Sequence, residues 1–222
     1  MTDDRKSGIA LIAGSLGGIL TMAIHPTGAL SATADQVAHL AFASAAAHSL
    51  AIVSFIVLFL GACGLGRHLA ASDRIAFAAV VTYGFACVAI LIAAAVSGFI
   101  VPNIMRHMVR DVPAAVPQWK IVIDSIFQIN QAFARIYSVA ASVAILLWSV
   151  SILRNGGLGR AIAIYGCVTS PVIITGIVIG HIRLDVHGMA IVAIGQAIWF
   201  VIVGAQLCSR PASGPGVSGV LP

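Results

Sequence analysis

Residues 118–150 read QWKIVIDSIFQINQAFARIYSVAASVAILLWSV, a run that is hydrophobic enough to cross a membrane yet carries polar side chains at helical spacing. These polar positions, here called the polar stripe, follow in steps of three or four residues: Asp124, Gln128, Gln131, Arg135, Ser138 and Ser142. At about 100° and about 1.5 Å per residue they fall within an arc of roughly 80° and extend for roughly 27 Å. Ionised and amide groups facing lipid would be costly, so the stripe is predicted to face a protein interior or a wet cavity.

The composition of the whole chain indicates the same class of protein. Of its 222 residues, 60% are hydrophobic and 9% are charged, and its mean hydropathy is +1.06. A soluble domain would carry about a quarter charged residues. The apolar runs are long and continuous, which indicates helices rather than the short alternating strands of a membrane barrel. A net charge of only +5, without a cluster of Lys and Arg, argues against nucleic acid as a partner.

Six apolar runs approach the length of about 20 residues that a bilayer requires. Their predicted bounds are Gly8–His25, Val37–Gly66, Ile75–Val101, Ile121–Leu153, Ala161–His181 and His187–Cys208. The fold class is therefore an all-α integral membrane protein, a single bundle of six transmembrane helices within residues 1–208. The first run is expected to be a retained helix and not a signal peptide. Residues 209–222, rich in Pro, Gly and Ser, are expected to form a disordered C-terminal tail.

The connection between the third and fourth runs is long enough to contain a further helix. Apolar and polar residues recur at helical spacing within the stretch from Pro102 to Lys120. This pattern predicts a short amphipathic interfacial helix between helices 3 and 4. Such a helix would either close a cavity or seal the end of the bundle.

Positive charges flank the two ends of the predicted helices unequally. One side has Arg5, Lys6, Arg67, Arg74, Arg154, Arg160 and Arg210, and the other has Arg106, Arg110, Lys120 and Arg183. The positive-inside rule therefore predicts cytoplasmic N- and C-termini in the inner (plasma) membrane of the cell. On this topology Asp124 lies at the outer surface and Arg135 lies near mid-membrane.

Six of the seven histidines fall on the predicted outer side of the membrane. His25 and His48 each share a helical face with small residues, so both are predicted to point into the bundle. His181 and His187 bracket a five-residue turn that contains Asp185. Imidazole and carboxylate groups gathered in this way are suited to a metal site or a proton relay.

The metal ligands predicted from this clustering are His25, His48, His181 and His187. The identity of the ion is left open between copper, zinc and iron, although nearby methionines would suit Cu(I). Ordinary apolar residues at helix ends are the preferred interpretation of those methionines, because Met also fills gaps in packing. Haem is the other candidate cofactor, ligated by His48 together with His181 or His187. No HExxH or zinc-finger spacing is present, so no motif names the chemistry.

The leading hypothesis is a membrane-embedded enzyme or redox protein whose outward-facing polar cavity acts on a lipid, an isoprenoid or a quinone. Its predicted catalytic residues are Arg135, Asp124, His48 and Asp185, and its predicted substrate-binding residues are Gln128, Gln131, Ser138 and Tyr83. In this hypothesis Arg135 binds an anionic or carbonyl part of the substrate, while the histidines exchange protons or hold a metal ion.

Two other classes of protein remain open. One is a small-solute or ion transporter or channel gated by the histidines, although the cytoplasmic half of the fourth run, beyond Ser142, is nearly all apolar and offers no continuous polar path. The other is a non-catalytic membrane assembly subunit, in which the polar side chains only join helices. Membrane lipids are expected partners in every case, and homo-oligomerisation is left open.

Overall fold

The computed structural model describes residues 2–26, 34–69, 73–111 and 116–210, and every regular element in these ranges is helical. The helices in chain order are α1 (Asp3–Ala23), α2 (Ala34–Leu69), α3 (Arg74–Ala95), α4 (Val101–Arg110), α5 (Val116–Asn155), α6 (Arg160–Val178) and α7 (Val186–Cys208). A π-helical segment, Val96–Ile100, joins α3 directly to α4. Six helical runs in the described ranges are long and apolar enough to cross a membrane, which confirms the predicted number. Most of the predicted tail, residues 211–222, lies outside the described residues.

The amphipathic stretch between the third and fourth runs forms a short helix, as the sequence predicted, but this helix is continuous with the third run. It forms α4, which follows α3 through the π-helical segment and packs against α2 and α5. Trp119 of α5 stacks on His107 with ring centroids 6.5 Å apart and donates from Nε1 to Asp111 Oδ2 at 2.9 Å. The apolar face of α4 therefore finds its partners on neighbouring helices, and the same residues extend the third helix.

Helix α1 lies between α2 and α7, and glycines permit a close approach on both sides. A Cβ atom on Gly14 would lie 2.6 Å from the backbone nitrogen of Leu58. One on Gly204 of α7 would lie 2.6 Å from the carbonyl oxygen of Gly8. No side chain fits at such distances, so these glycines bring helix backbones together as small residues commonly do between membrane helices.

The centre of the bundle contains four large aromatic side chains with almost no exposure: Tyr83, Trp148, Trp199 and Phe200. Trp148 and Trp199 stack with ring centroids 5.9 Å apart, and Tyr83 packs on Trp148 at 5.6 Å. The indole Nε1 of Trp199 donates to Ser149 Oγ at 3.1 Å, which satisfies its polar atom. This aromatic cluster joins α3, α5 and α7.

The helices have unequal lengths, so the bundle has two sections. Helices α1, α6 and α7 have 21, 19 and 23 residues, and at about 1.5 Å per residue each is close to the ~30 Å of a bilayer core. Helices α2 and α5 have 36 and 40 residues. His25 follows α1 and contacts His48, so residues 34–47 of α2 continue past the end of α1. We call this level the histidine end of the six-helix section.

The opposite end of the six-helix section is closed by polar contacts. His68 Nδ1 lies 3.1 Å from Asp4 Oδ2, and Arg210 Nη1 donates to His68 Nε2 at 2.7 Å. Because a guanidinium has no acceptor, the proton of the neutral His68 ring is on Nδ1. Asp73 caps α3 and accepts from Asn155 Nδ2 at 2.7 Å. The first two contacts join α1 and α2 to Arg210, which follows α7, and the Asp73 contacts join the start of α3 to the end of α5.

Candidate functional site

A cavity of about 280 Å³ lies between α1, α2, α3, α5 and α7 and reaches the histidine end. From α1 to the π-helical segment its lining residues are Gly14, Ser15, Gly18, Ile19, Thr21, Met22, His25, His48, Ala51, Phe55, Leu58, Ile90, Ala93, Ala94 and Ser97. From α5 onwards they are Phe127, Asn130, Gln131, Ala134, Tyr137, Leu184, Asp185, Val186, Met189, Ala193, Gln196, Ala197 and Phe200. A mostly apolar wall with a few polar groups is typical of small-molecule sites.

Two imidazoles meet at the histidine end of the cavity. The rings of His25 and His48 are in edge contact, with centroids 5.0 Å apart and an interplanar angle of 72°. His48 Nδ1 lies 2.8 Å from the carbonyl oxygen of Ser44, one helical turn earlier. A carbonyl oxygen only accepts, so Nδ1 carries the proton and Nε2 of the neutral ring keeps its lone pair. Burial lowers the pKa of His25, an effect that a hydrogen bond with the Pro26 backbone partly opposes, so the neutral ring is favoured.

The π-helical segment makes room for His48. A Cβ atom on Gly98 would overlap the Cβ of His48 and lie 2.9 Å from its Cγ. Ser44 Oγ donates to the carbonyl oxygen of Ser97 at 3.0 Å, which fixes the turn of α2 that holds His48. Such π-helical turns are frequent at functional sites. Sequence analysis did not identify this segment, and its only signal is a glycine within an otherwise apolar run.

Three buried polar atoms in the cavity wall have no hydrogen-bond partner among the described residues: Ser15 Oγ, His25 Nδ1 and Asn130 Oδ1. Ser15 is only 3% exposed. An unsatisfied buried polar group costs about 1–3 kcal/mol, and native proteins usually satisfy such groups. Three of them line one cavity, where water or a ligand with its own hydrogen-bonding groups would satisfy them.

Deeper in the bundle, Gln196 has its hydrogen bonds satisfied by α5. Its Oε1 accepts from the Tyr137 hydroxyl at 3.1 Å, and its Nε2 donates to Ser142 Oγ at 3.1 Å and to the carbonyl oxygen of Ser138 at 3.3 Å. The Oγ of Ser138, a predicted substrate-binding group, donates to the carbonyl oxygen of Ala134 at 2.9 Å. The serine end of the polar stripe therefore joins helices, as interhelical hydrogen bonds do in membranes.

The rest of the polar stripe divides between the cavity and the surface. Gln131 lines the cavity, whereas the side chains of Asp124, Gln128 and Arg135 are exposed and are not part of its lining. The inward face of α5 at this level is that of Asn130, Ala134 and Tyr137. This face lies one position from the stripe, about 100° around the helix, which turns Arg135 to the bundle surface.

The histidines of the last turn do not join the first pair. His181 and His187 are exposed and lie outside the cavity lining, because α7 presents Val186 and Met189 to the cavity instead. Within the described ranges, no group of three or more His, Cys, Asp or Glu side chains is placed to hold a metal ion. The structure therefore does not assemble the four-histidine metal site or the haem ligand pairs that clustering suggested.

Of two further predicted site residues, Asp185 lines the cavity and Tyr83 does not. Asp185 lines the cavity and also caps α7, accepting from the Gly188 N–H at 2.9 Å. Tyr83 belongs to the aromatic cluster and is not part of the cavity lining. Sequence analysis selected neither Ser15 nor Asn130. Asn130 is adjacent in sequence to Gln131, so a wider helical arc would have included it.

The arrangement suits proton exchange with a bound molecule. A neutral imidazole oriented by a backbone carbonyl has the lone pair that a general base requires, and here it faces a second imidazole. The apolar wall would hold a lipophilic body beside these groups. Comparison of the chain with protein families, with curated proteins and with solved structures gives no significant match.

Proposed function

We propose that the chain crosses the inner (plasma) membrane six times, with both termini on the cytoplasmic side. Six apolar helical runs support this proposal, and three of them closely match the thickness of a bilayer core. Large apolar side chains face outward from the bundle, and Phe85, Val172 and Ile191 are each more than 60% exposed. Such a surface is suited to lipid and not to water. The excess of positive charge at the end opposite the histidines supports the orientation.

In this membrane the protein is an enzyme whose cavity holds one lipophilic molecule and whose histidine pair acts on the polar part of that molecule. The observation that carries the proposal is the set of three unpartnered polar atoms in one cavity. Ordered water alone would satisfy those atoms but would also wet the apolar wall, and apolar cavities stay dry. A molecule with a polar head and an apolar body satisfies both parts of the wall.

His48 is the general base of this proposal. Its Nε2 lone pair accepts a proton from the bound molecule, and the Ser44 carbonyl holds the ring in the required tautomer. His25 lies within ring contact and serves as the second proton carrier. General acid–base catalysis of this kind typically contributes about 10²–10⁴ in rate.

Filling the cavity tests ligand binding. An added Cβ atom on Gly18, a lining residue, would have no neighbour within 4 Å, so Gly18→Leu fills space without displacing a helix. Leu20→Phe is the matched control, because Leu20 is an exposed residue of the same helix. Purification in nanodiscs and mass spectrometry of extracted lipids should find a bound amphiphile in the wild type and control and lose it in Gly18→Leu. Equal retention by Gly18→Leu would count against the site.

A comparison of two histidine variants tests the catalytic part of the proposal. His48→Gln removes the base, whereas His39→Gln changes an exposed histidine of the same helix. The molecule extracted from His48→Gln is expected to be unconverted substrate, with a mass that differs from the product found with the wild type and with His39→Gln. Identical bound molecules in all three proteins would leave a binding protein rather than an enzyme.

A further inference from the structure

The chemistry of the cavity lining restricts the kind of molecule that the proposed function can use. The described lining residues include no lysine or arginine, and the one formally charged side chain among them is Asp185. An anionic head would lie against a mostly apolar wall, near the exposed carboxylate of Asp185 and without a fixed positive partner in the lining, which is unfavourable. A phosphate or carboxylate head is therefore a poor match for this site.

The polar groups at the histidine end are short of hydrogen-bond donors. His48 Nε2 is an acceptor, because Nδ1 gives its hydrogen to the Ser44 carbonyl. Asn130 Oδ1 is a second acceptor, without a donor among the described residues. A quinone or other carbonyl head would bring only further acceptors. A hydroxyl group supplies the donor that His48 Nε2 requires.

The remainder of the cavity fits one apolar chain. Leu58, Ile90 and Phe200 form part of its wall towards the bundle centre. Along α1 the lining extends from His25 to Gly14, roughly 16 Å at about 1.5 Å per residue. The volume of about 280 Å³ is at the lower end of the range of about 300–1,000 Å³ for small-molecule pockets. This space accommodates one chain rather than two.

From these features we infer that the cavity is a site for a lipid alcohol, a molecule with one uncharged hydroxyl head and a single apolar chain. The head lies between His25, His48 and Asn130, and its hydroxyl donates to His48 Nε2. The inference rests on the proposed function and narrows its substrate, since the hydroxyl proton is the one that His48 is placed to accept. Ser15, in the wall below, offers its hydroxyl to a second polar atom of the ligand or to a water molecule.

Photolabelling with matched competitors tests this inference. The full chain in phosphatidylcholine nanodiscs is labelled with a long-chain alcohol that carries a diazirine in mid-chain, and the labelled peptides are mapped. Labels are expected on the segments of α1, α2 and α7 around the cavity. Hexadecanol should compete about tenfold better than its methyl ether, which lacks the donor, and better than hexadecyl phosphate. His48→Phe should remove the preference for the alcohol over the ether, and Leu20→Phe should preserve it.

The possible outcomes distinguish failure of the lipid-alcohol inference from failure of the proposed function. Equal competition by ether and alcohol, or stronger competition by the phosphate, would overturn the lipid-alcohol assignment. If that labelling were still confined to the cavity and blocked by Gly18→Leu, the proposed lipophilic site would stand. Absence of label from the cavity segments, or label that persists in Gly18→Leu, would overturn both.

Discussion

Replacing Gly14 with alanine is expected to destabilise the protein, whereas the same change at Gly18, one turn further along α1, is expected to stabilise it. An added Cβ on Gly14 would lie 2.6 Å from the backbone nitrogen of Leu58, 2.7 Å from its Cβ and 2.7 Å from the carbonyl oxygen of Ser54. Favourable carbon contacts lie at about 3.5–4.0 Å, so α1 and α2 would have to separate locally by about 1 Å. At Gly18 an added Cβ has no neighbour within 4 Å.

The magnitudes follow from these distances. Overpacking typically costs about 1–3 kcal/mol, and removing a glycine from a helix returns about 0.5–1 kcal/mol. Because two of the three atoms near Gly14 belong to the backbone of α2, the contact cannot be relieved by a rotamer change. We expect Gly14→Ala to lose about 1–2 kcal/mol and Gly18→Ala to gain about 0.5–1 kcal/mol.

Unfolding by SDS in mixed micelles, followed by far-UV circular dichroism, measures both variants against the wild type under identical lipid conditions. The sign of the difference is the decisive result. If Gly14→Ala were as stable as Gly18→Ala, the close packing of α1 on α2 would be refuted, and with it the position of the cavity wall.

Three further outcomes are expected. Gln196→Leu leaves the Tyr137 hydroxyl without its partner and should cost about 2–3 kcal/mol, against about 0.5–1.5 kcal/mol for Tyr137→Phe, in the same unfolding assay. Because the pKa of His25 is lowered in the folded state, its contribution to stability is complete above about pH 6.5 and declines as the pH falls from there towards the lowered value. The unfolding midpoint should follow this decline, and His25→Gln should flatten it. The nearby Ser151 hydroxyl and the backbone N–H that Asp73 caps lower the pKa of Asp73. Its small, solvent-screened contribution to stability is therefore present above about pH 4 and is lost as the pH falls through the lowered pKa. Asp73→Asn should remove this loss in unfolding midpoints measured from about pH 2 to about pH 6.

The sequence was sufficient to predict the number and type of membrane-length helices, because apolar length alone determines them. The helix ends were harder to predict. Helix α2 begins at Ala34 rather than Val37, and α5 begins at Val116 rather than Ile121. The first turns of α2 and α5 lie beyond the six-helix section and are amphipathic. They are helical because α4 packs against both α2 and α5. Such tertiary contacts leave little signal in a hydropathy pattern.

The site was predictable only in part, for a reason of helical phase. His25 and His48 lie on faces rich in small residues, so their inward direction could be derived from spacing. Arg135 and His187 each lie one position from the face that lines the cavity. A step of one residue turns a side chain by about 100°, and the sequence does not show which helices are neighbours. The contact between Gly98 and His48 depends on a π-helical turn that periodicity does not reveal.

Arg135 gives the sharpest test of this difference between pattern and structure. As part of an inward stripe, it would bind the polar part of the substrate, and its loss would abolish ligand retention. In the structure Arg135 is exposed and lies about one turn, roughly 6 Å along the helix axis, from Gln131 at the cavity. Arg135→Leu should therefore change photolabelling by the alcohol probe less than about twofold, whereas Asn130→Leu on the same helix, which replaces a polar group of the cavity wall with an apolar side chain, should reduce it severalfold. Loss of labelling in a folded Arg135→Leu protein would indicate that the guanidinium contacts the ligand, and it would contradict the position of α5 described above.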